Sequence, residues 1–148
     1  STPFDDEGVA TRDRTIVRAG VLEGYFLGSY SARKLGMTTT GSAGGHHNLL
    51  VRSEGPDFRG MLELMQKGLL VTELMGQGVN LVTGDYSRGA AGYWVEGGEI
   101  RFAVEEITIA GNLAQMFNGI AAIGSDVVSR NGRASGSILV ENMTIAGD

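Results

Sequence analysis

The spacing of apolar residues changes several times along the chain, and each change predicts an element. Between Thr15 and Tyr30 apolar residues flank "RAG", where Gly20 can adopt the positive φ of a hairpin turn. From residue 57 to 67 they recur at the i, i+3, i+4, i+7 spacing of an amphipathic helix. That stripe consists of Phe58, Met61, Leu62 and Met65. Residues 69–75 and 79–82 return to a strand-like composition.

The second half of the chain contains a clearer hairpin and a second helix. "YWVEGGEIRF" (93–102) predicts a hairpin with Gly97-Gly98 as its turn. A helix should follow Gly111, with Asn112 as its N-cap. Its inward side chains are predicted to be Leu113, Met116, Phe117 and Ile120. Residues 31–48 show no period and predict a long loop. This irregular order predicts an α+β fold that is mainly antiparallel, with two or so amphipathic helices.

Two stretches of the sequence occur twice. "VEEITIAGN" (104–112) is nearly repeated by "VENMTIAGD" (140–148), and "VRAGVL" (17–22) resembles "VEGGEI" (95–100). In both copies of the first repeat the apolar alternation slips by one residue before "TIAG". This slip predicts a β-bulge at Glu105–Glu106 and another at Glu141–Asn142. The repeats together predict an internally duplicated β-sheet.

Composition narrows the classes of function. The 148 residues are one domain's worth of chain, with a net charge of −5 and scattered basic residues, so we expect no direct nucleic-acid binding. No apolar run approaches the roughly 18 residues of a membrane span. The chain has no cysteine and therefore no disulfide framework, which fits the cytoplasmic location that we expect. It begins without an initiator methionine, so we expect a fragment of a longer chain.

The two histidines, His46 and His47, are adjacent in "GSAGGHHNLL". Neighbouring side chains on an extended segment point to opposite faces, so the pair cannot both bind one ion there. A zinc site needs further ligands, and the sequence has neither a cysteine nor a third histidine. No serine lies in a recognisable nucleophile motif that would use them as a base. We expect a loop or interface role for both, with plain packing as the alternative.

"GDYSRGAAGYWVEGG" (84–98) is the other candidate site. We expect its polar residues 85–88 to lie between strands, followed by small residues that allow another backbone to approach closely. Two interpretations stay open: a bulged strand beneath a helix, or a surface where an extended peptide or partner strand pairs. The candidate interface residues are Tyr86, Ser87, Arg88, Gly89, Ala90 and Gly92, together with His46 and His47. The acidic run 5–7 is predicted to be a solvated loop balanced by Arg12 and Arg14.

Four longer stretches carry a family resemblance. "PFDDEGVATRD", "GYFLGSYSARKLGMTTTG", "GDYSRGAAGYWVEGGEI" and "VEEITIAGN" occur in this order. Together they closely resemble the C-terminal part of the PmbA/TldE-type chains of the TldD/PmbA peptidase family, long labelled modulators of DNA gyrase. The resemblance runs from about residue 2 to the end. Residues 1–148 are therefore interpreted as the C-terminal domain of such a subunit, without the N-terminal part of the family chain.

The resemblance implies a cytoplasmic zinc metallopeptidase of two related subunits, TldD and TldE, that trims peptides or unfolded proteins, including a microcin precursor and an antitoxin. In the TldD-type subunit the zinc ligands come from an HExxxH helix and a cysteine of the C-terminal domain. This chain has neither. We therefore expect a non-catalytic subunit without metal or cofactor of its own, a zinc-bearing TldD-like partner, and a possible homodimer when alone. The alternatives are a stand-alone module that binds a topoisomerase or an antitoxin without proteolysis, and a self-sufficient metalloenzyme.

Overall fold

The computed structural model describes residues 2–147 as an α+β fold of mostly antiparallel strands, as the sequence predicts. The helices in this range are α1 (Ser29–Lys34), α2 (Phe58–Met65) and α3 (Leu113–Asn118). The strands are β1 (Val17–Arg18), β2 (Val21–Leu22), β3 (Leu49–Leu50), β4 (Lys67–Met75), β5 (Asp85–Glu96), β6 (Glu99–Asn112), β7 (Ile120–Ile123), β8 (Val128–Arg130), β9 (Arg133–Ser135), β10 (Ile138–Val140) and β11 (Thr144–Ala146). Their sheets have the orders β1-β2, β10-β7, β11-β6-β5-β4 and β3-β9-β8.

The described chain divides into two compact units. The first contains the residues up to Leu50 together with Arg130–Arg133, and the second contains Val51–Ser129 and the residues from Ala134 onward. Chain length alone does not reveal this division, because 148 residues is an ordinary size for a single domain. No helix of residues 2–147 has the length and apolar character needed to cross a membrane.

A buried carboxylate organises the first unit. Asp5 Oδ1 accepts hydrogen bonds from the amides of Glu7 (3.0 Å) and Val9 (2.9 Å), and Oδ2 accepts one from Ala43 (2.9 Å). Glu7 Oε2 accepts from the Ser29 amide (2.8 Å), at the first residue of α1. The predicted solvated loop at 5–7 is therefore wrong for Asp5. Three amides satisfy its charge, so the carboxylate can be buried without an arginine partner.

The tight hairpins follow the predicted turns. The β1–β2 turn has positive φ at Ala19 (48°) and Gly20 (79°), and the β5–β6 turn has positive φ at Gly97 (64°) and Gly98 (72°). Positive φ at both central residues is the type I′ geometry that suits the twist of two-residue hairpins. Both predicted hairpins are confirmed, and Val17 faces Leu22 just as Val95 faces Ile100.

The four-stranded sheet β11-β6-β5-β4 carries the core of the second unit. Ala90, Ile107 and Ile109 are buried there. The predicted helix α2 is confirmed, and its N-cap Asp57 accepts from the Gly60 amide (2.9 Å). The strand predicted at 69–75 is also confirmed, as β4.

Three predicted elements differ from the structure. Residues 79–82 form a turn region instead of a strand, and α1 occupies the start of the loop predicted at 31–48. The helix after Asn112 forms as predicted, and the Asn112 side chain accepts from the Ala114 amide. Its inward stripe is wrong for Phe117, which is 70% exposed, whereas Leu113 and Met116 are half-buried and Ile120 already belongs to β7.

The repeated sequence forms two strands that pair with each other. Thr144 faces Ala110, Ile145 faces Ile109 and Ala146 faces Thr108, so equivalent residues of the two copies are related by a local twofold centred on the isoleucine pair. The duplication predicted from the sequence therefore takes the form of an antiparallel β6–β11 contact.

Only one of the two predicted bulges is present. Ala90 faces Ile107 and Gly92 faces Val104, which leaves Glu105 and Glu106 together opposite Ala91. That bulge is confirmed. The bulge predicted at Glu141–Asn142 is wrong, because β10 ends at Val140 and the chain resumes as β11 on a different sheet.

Candidate functional site

The candidate residues from Tyr86 to Gly92 lie inside β5, not between strands as expected. β5 pairs with β6 along one edge and, from Gly89 onward, with β4 along the other. Next to Tyr86 and Ser87 the second edge is covered by the segment before the strand, through the Val79–Tyr86 bridge and the hydrogen bond from the Ser87 amide to the Gly78 carbonyl. An added peptide strand needs a free edge. A peptide therefore cannot pair with this stretch of backbone. β5 is not the bulged strand either, since the extra residues lie on its neighbours, at Glu105–Glu106 of β6 and at Thr72 of β4.

The small residues of β5 make room for β4. A Cβ on Gly92 would collide with the carbonyl of Leu70, and a Cβ on Gly89 would lie 3.4 Å from Met75 Cβ. Ala90 is buried in the core of the sheet. These small residues therefore allow β4 and β5 to pack closely. From the sequence alone, this close packing within the sheet cannot be distinguished from the close approach of a partner.

Arg88 is the one cation among the candidate residues of β5. It stands opposite the buried Ile109, and its Nη2 donates to the carbonyl of Leu74 (3.4 Å). Its Nε is buried and has no hydrogen-bond partner among residues 2–147. A guanidinium is always charged, and an unpaired buried donor is costly. The Arg88 guanidinium therefore keeps one buried N–H, at Nε, that its neighbours leave unsatisfied.

Tyr86 and Ser87 line a shallow pocket at the start of β5. The loop before the strand closes the other side, where Val79 forms an isolated bridge to Tyr86 and the Ser87 amide donates to the carbonyl of Gly78 (2.7 Å). The lining residues are Gln77, Gly78, Val79, Asn80, Asp85, Tyr86 and Ser87.

The loop of residues 79–84 adjoins this pocket. Residues 79–82 were predicted as a strand, but Asn80 Oδ1 accepts from the amides of Val82 (2.9 Å) and Thr83 (3.2 Å) and closes a turn. Gly84 follows with φ +80°. Asparagine and glycine are common in turns, so Asn80 and Gly84 are the residues from which this turn could have been predicted.

His46 and His47 lie in the first unit, whereas the β5 residues belong to the second. His46 Nε2 accepts from Arg133 Nε (3.1 Å), and its ring lies 5.8 Å from that of Phe26. His47 is within hydrogen-bond distance of Thr2 Oγ1 (3.2 Å from Nε2). The two imidazoles have separate partners, and both belong to an ordered loop.

The ligands of a zinc site of the TldD type are not brought together among residues 2–147. Among residues 2–147 no three His, Cys, Asp or Glu side chains are grouped to hold a metal ion. Arg133 also places a cation on the Nε2 lone pair of His46, which a metal would otherwise use. A zinc site normally takes three or four protein ligands, and this loop has one imidazole already engaged.

Comparisons with known proteins agree with one another. The family model described as "PmbA/TldA metallopeptidase C-terminal domain" matches residues 1–147. The Escherichia coli O157:H7 protein named Metalloprotease PmbA is 56% identical over 147 residues, which is 99% of this chain and 33% of that protein. The chain thus spans about a third of the length of this curated relative.

Solved structures share the fold. The crystal structure of a modulator of a DNA gyrase from Thermotoga maritima has a TM-score of 0.89 and 39% identity, over 99% of this chain and 36% of that chain. TldE from Thermococcus kodakarensis has a TM-score of 0.82 and 25% identity, over 99% of this chain and 36% of that chain.

Proposed function

This chain belongs to the PmbA/TldD metallopeptidase family as its C-terminal domain, and we propose that it is part of a non-catalytic, TldE-type subunit. That subunit would pair as a heterodimer with a related zinc-bearing TldD-like subunit. The assembled enzyme would cleave peptides or unfolded proteins, in proteolysis or peptide maturation. The absence of cysteine supports a cytoplasmic location, where thiols stay reduced and disulfides are rare.

The observation that carries the proposal is the set of possible metal ligands in this chain. Metal-dependent peptide hydrolysis needs an ion that activates water and a base beside it. The chain has no cysteine, and its two histidines have separate partners, Arg133 and Thr2. Its own residues therefore support a structural or substrate-holding role, with the zinc in the partner.

Arg88 is the residue we assign to that role. Its guanidinium donates from Nη2 to the Leu74 carbonyl but pairs with no carboxylate among residues 2–147, so its charge matches a carboxylate supplied by the related subunit or by the peptide. The other β5 candidates hold this cation in place through the packing of β4 against β5.

The test combines purified subunits and follows cleavage of an unfolded peptide. We expect this subunit alone and the zinc-bearing subunit alone to be inactive, and the mixture to cleave. Full activity of either subunit by itself would contradict the proposal. The same assay addresses the second candidate, a regulator without proteolysis, which is favoured by the naming of the Thermotoga maritima neighbour as a modulator of a DNA gyrase. In that case the mixture would also be inactive.

A further inference from the structure

The strand β11 covers one edge of β6 with a copy of the β6 sequence. Residues 143–147, which contain β11, read "MTIAG", and residues 107–111 of β6 read "ITIAG". The two stretches differ only at their first position. They pair antiparallel, with Ile145 opposite Ile109 at the centre. Each residue of one stretch therefore faces a residue type that its own stretch also contains.

Contacts beyond the three paired residues follow the same local twofold. Ile107 lies against Gly147, where an added Cβ would be 2.8 Å from the Ile107 Cγ2. Met143 holds the position in its stretch that Ile107 holds in β6. It lies against Gly111, where an added Cβ would be 3.8 Å from the Met143 Cε. An apolar side chain of each stretch thus packs on the glycine of the other, so the sequence of residues 107–111 is self-complementary.

The β6 strand of a second copy of this chain would fit the same edge in the same register. Its residues 107–111 would replace residues 143–147 position for position, and the one change, Met143 to Ile107, exchanges two apolar side chains of similar size. Neither stretch contains a charged side chain, so two such edges do not repel each other. A contact in which residue i meets j and j meets i is the contact of a twofold dimer.

β11 keeps this edge of β6 occupied within one chain. The other edge of β6 pairs with β5, so β6 becomes an edge strand of the sheet when β11 is absent. Edge strands with unpaired backbone groups pair readily with other chains. A strand of the same chain has a high effective concentration at the edge and excludes a strand from another molecule. β11 is three residues long and exposed, so its removal takes little from the buried core.

We propose that β11 stands in for the β6 strand of a second copy of this chain, and that it prevents this subunit from forming a homodimer through the β6 edge. The partner that fits this edge is therefore a second copy of the same subunit. The inference does not depend on the proposed function, because β6 and β11 both lie in the second unit and no other protein is involved.

The experiment measures self-association of the full-length subunit by sedimentation over a series of concentrations. Deleting residues 143–147 should lower the dissociation constant of the homodimer at least about tenfold, because the competing intramolecular strand is lost. The matched control is the same deletion combined with Gly111→Val. The valine would fill the place where Ile107 of the second copy packs, so this variant should remain as monomeric as the wild type.

A disulfide tests the register. The chain has no cysteine, and any cysteine outside residues 1–148 is replaced by serine for this test. Ile109 would face its own counterpart, with Cα atoms about 4.5–5.5 Å apart, within the range of disulfides. Ile109→Cys in the deletion variant should therefore cross-link to a dimer under mild oxidation. Ala110→Cys should cross-link much less, because its counterpart would lie on the diagonal, about 7–8 Å away. With β11 present, neither substitution should cross-link.

Each other outcome has a defined meaning. A deletion variant that stays monomeric, or that cross-links equally at both positions, would overturn the inference. Cross-linking of Ile109→Cys with β11 present would show that β11 does not block the edge, which also overturns it. A wild-type dimer that the deletion abolishes would assign β11 to exchange between two copies, again against the inference.

A second variant decides the matter if circular dichroism shows that the deletion variant does not fold. Gly147→Val keeps the length of the chain, but its side chain would collide with Ile107 and push β11 away from the edge. It should dimerise and, combined with Ile109→Cys, cross-link as the deletion variant is expected to do. A folded Gly147→Val subunit as monomeric as the wild type would overturn the inference.

Discussion

At the scale of single residues, the carboxylate of Asp5 fixes the loop of residues 5–9 against Ala43. Its three amide donors stabilise the ionised form and lower the pKa of Asp5, with the Ala43 amide as the largest cause. Because the folded pKa lies below the unfolded value of about 3.9, the stabilisation is present above that pH and is lost as pH falls through the folded pKa.

The resulting prediction concerns acid unfolding. Asp5→Asn should unfold at a lower denaturant concentration than the wild type at pH 7, and its midpoint should change less between pH 5 and pH 2, because the amide does not titrate. Urea titrations across this range measure both effects. Asp126, whose pKa is also lowered, chiefly by the Ser137 hydroxyl, is unchanged in both proteins, so the difference isolates Asp5. Parallel pH curves would contradict the prediction.

Arg88 should show opposite effects on stability and on function. Arg88→Met removes a buried donor that lacks a partner, so it should raise the free energy of unfolding by about 1 kcal/mol. If Arg88 pairs with a carboxylate of the partner or the peptide, the same variant should lower the cleavage rate of the assembled enzyme about tenfold. Denaturant unfolding and the peptide assay give the two readouts.

The control for Arg88 is Arg59→Met on α2. The Arg59 side chain is 87% exposed and pairs only with Glu63, one helical turn away. It should change neither stability nor activity appreciably, since such pairs contribute about 0.3–0.5 kcal/mol. Unchanged activity for Arg88→Met would remove Arg88 from the proposed site.

At the scale of elements, small residues mark the close contact between β4 and β5. Gly92→Ala should destabilise the protein by about 1–3 kcal/mol, because the new Cβ would collide with the Leu70 carbonyl and backbone must move. Gly24→Ala is the matched control, since its Cβ would meet nothing closer than 3.8 Å. Denaturant unfolding of both variants is the measurement. Equal stability of the two would show that β4 can move away at no cost.

Local patterns predicted the elements that depend on neighbouring residues. The stripe of Phe58, Met61, Leu62 and Met65 predicted α2, and the glycine pair at 97–98 predicted the longest hairpin. The bulge at Glu105–Glu106 could also be predicted, because the alternation of apolar residues along β6 shifts by one residue at that point. Each of these signals is carried by residues close together in the sequence, within the element that they predict.

Elements that depend on distant partners could not be predicted in this way. The apolar residues 79–82 suggested a strand, but the Asn80 side chain accepts from the amides of Val82 and Thr83 and closes a turn, a local signal that competes with the apolar pattern. Residues 141–142 suggested a second bulge, but the following strand pairs with β6, far away in sequence. The β5 candidates were named correctly as a distinctive stretch, yet only the sheet order shows that both edges of β5 are occupied.

At the scale of the whole molecule, the family fold occurs here without a group of three possible metal ligands among residues 2–147. The fold matches solved relatives over 99% of the chain, while His46 is engaged by Arg133 and the chain has no cysteine. This contrast between a retained fold and an unsuitable ligand set is what a subunit that supports catalysis elsewhere would show. The location of the metal is therefore the property that tests the proposed assembly most directly.

The last prediction therefore concerns how zinc is distributed between the two subunits. After dialysis against micromolar zinc, elemental analysis should find substoichiometric zinc in this subunit, because one engaged imidazole and one neighbour with a separate partner cannot complete a site. The assembled enzyme should contain zinc in proportion to the partner alone. Stripping zinc from the partner before mixing should abolish cleavage, whereas treating this subunit with the chelator should not. Sub-micromolar zinc affinity in this subunit, lost in the His46→Ala, His47→Ala double variant, would contradict the assignment and place a metal in this chain.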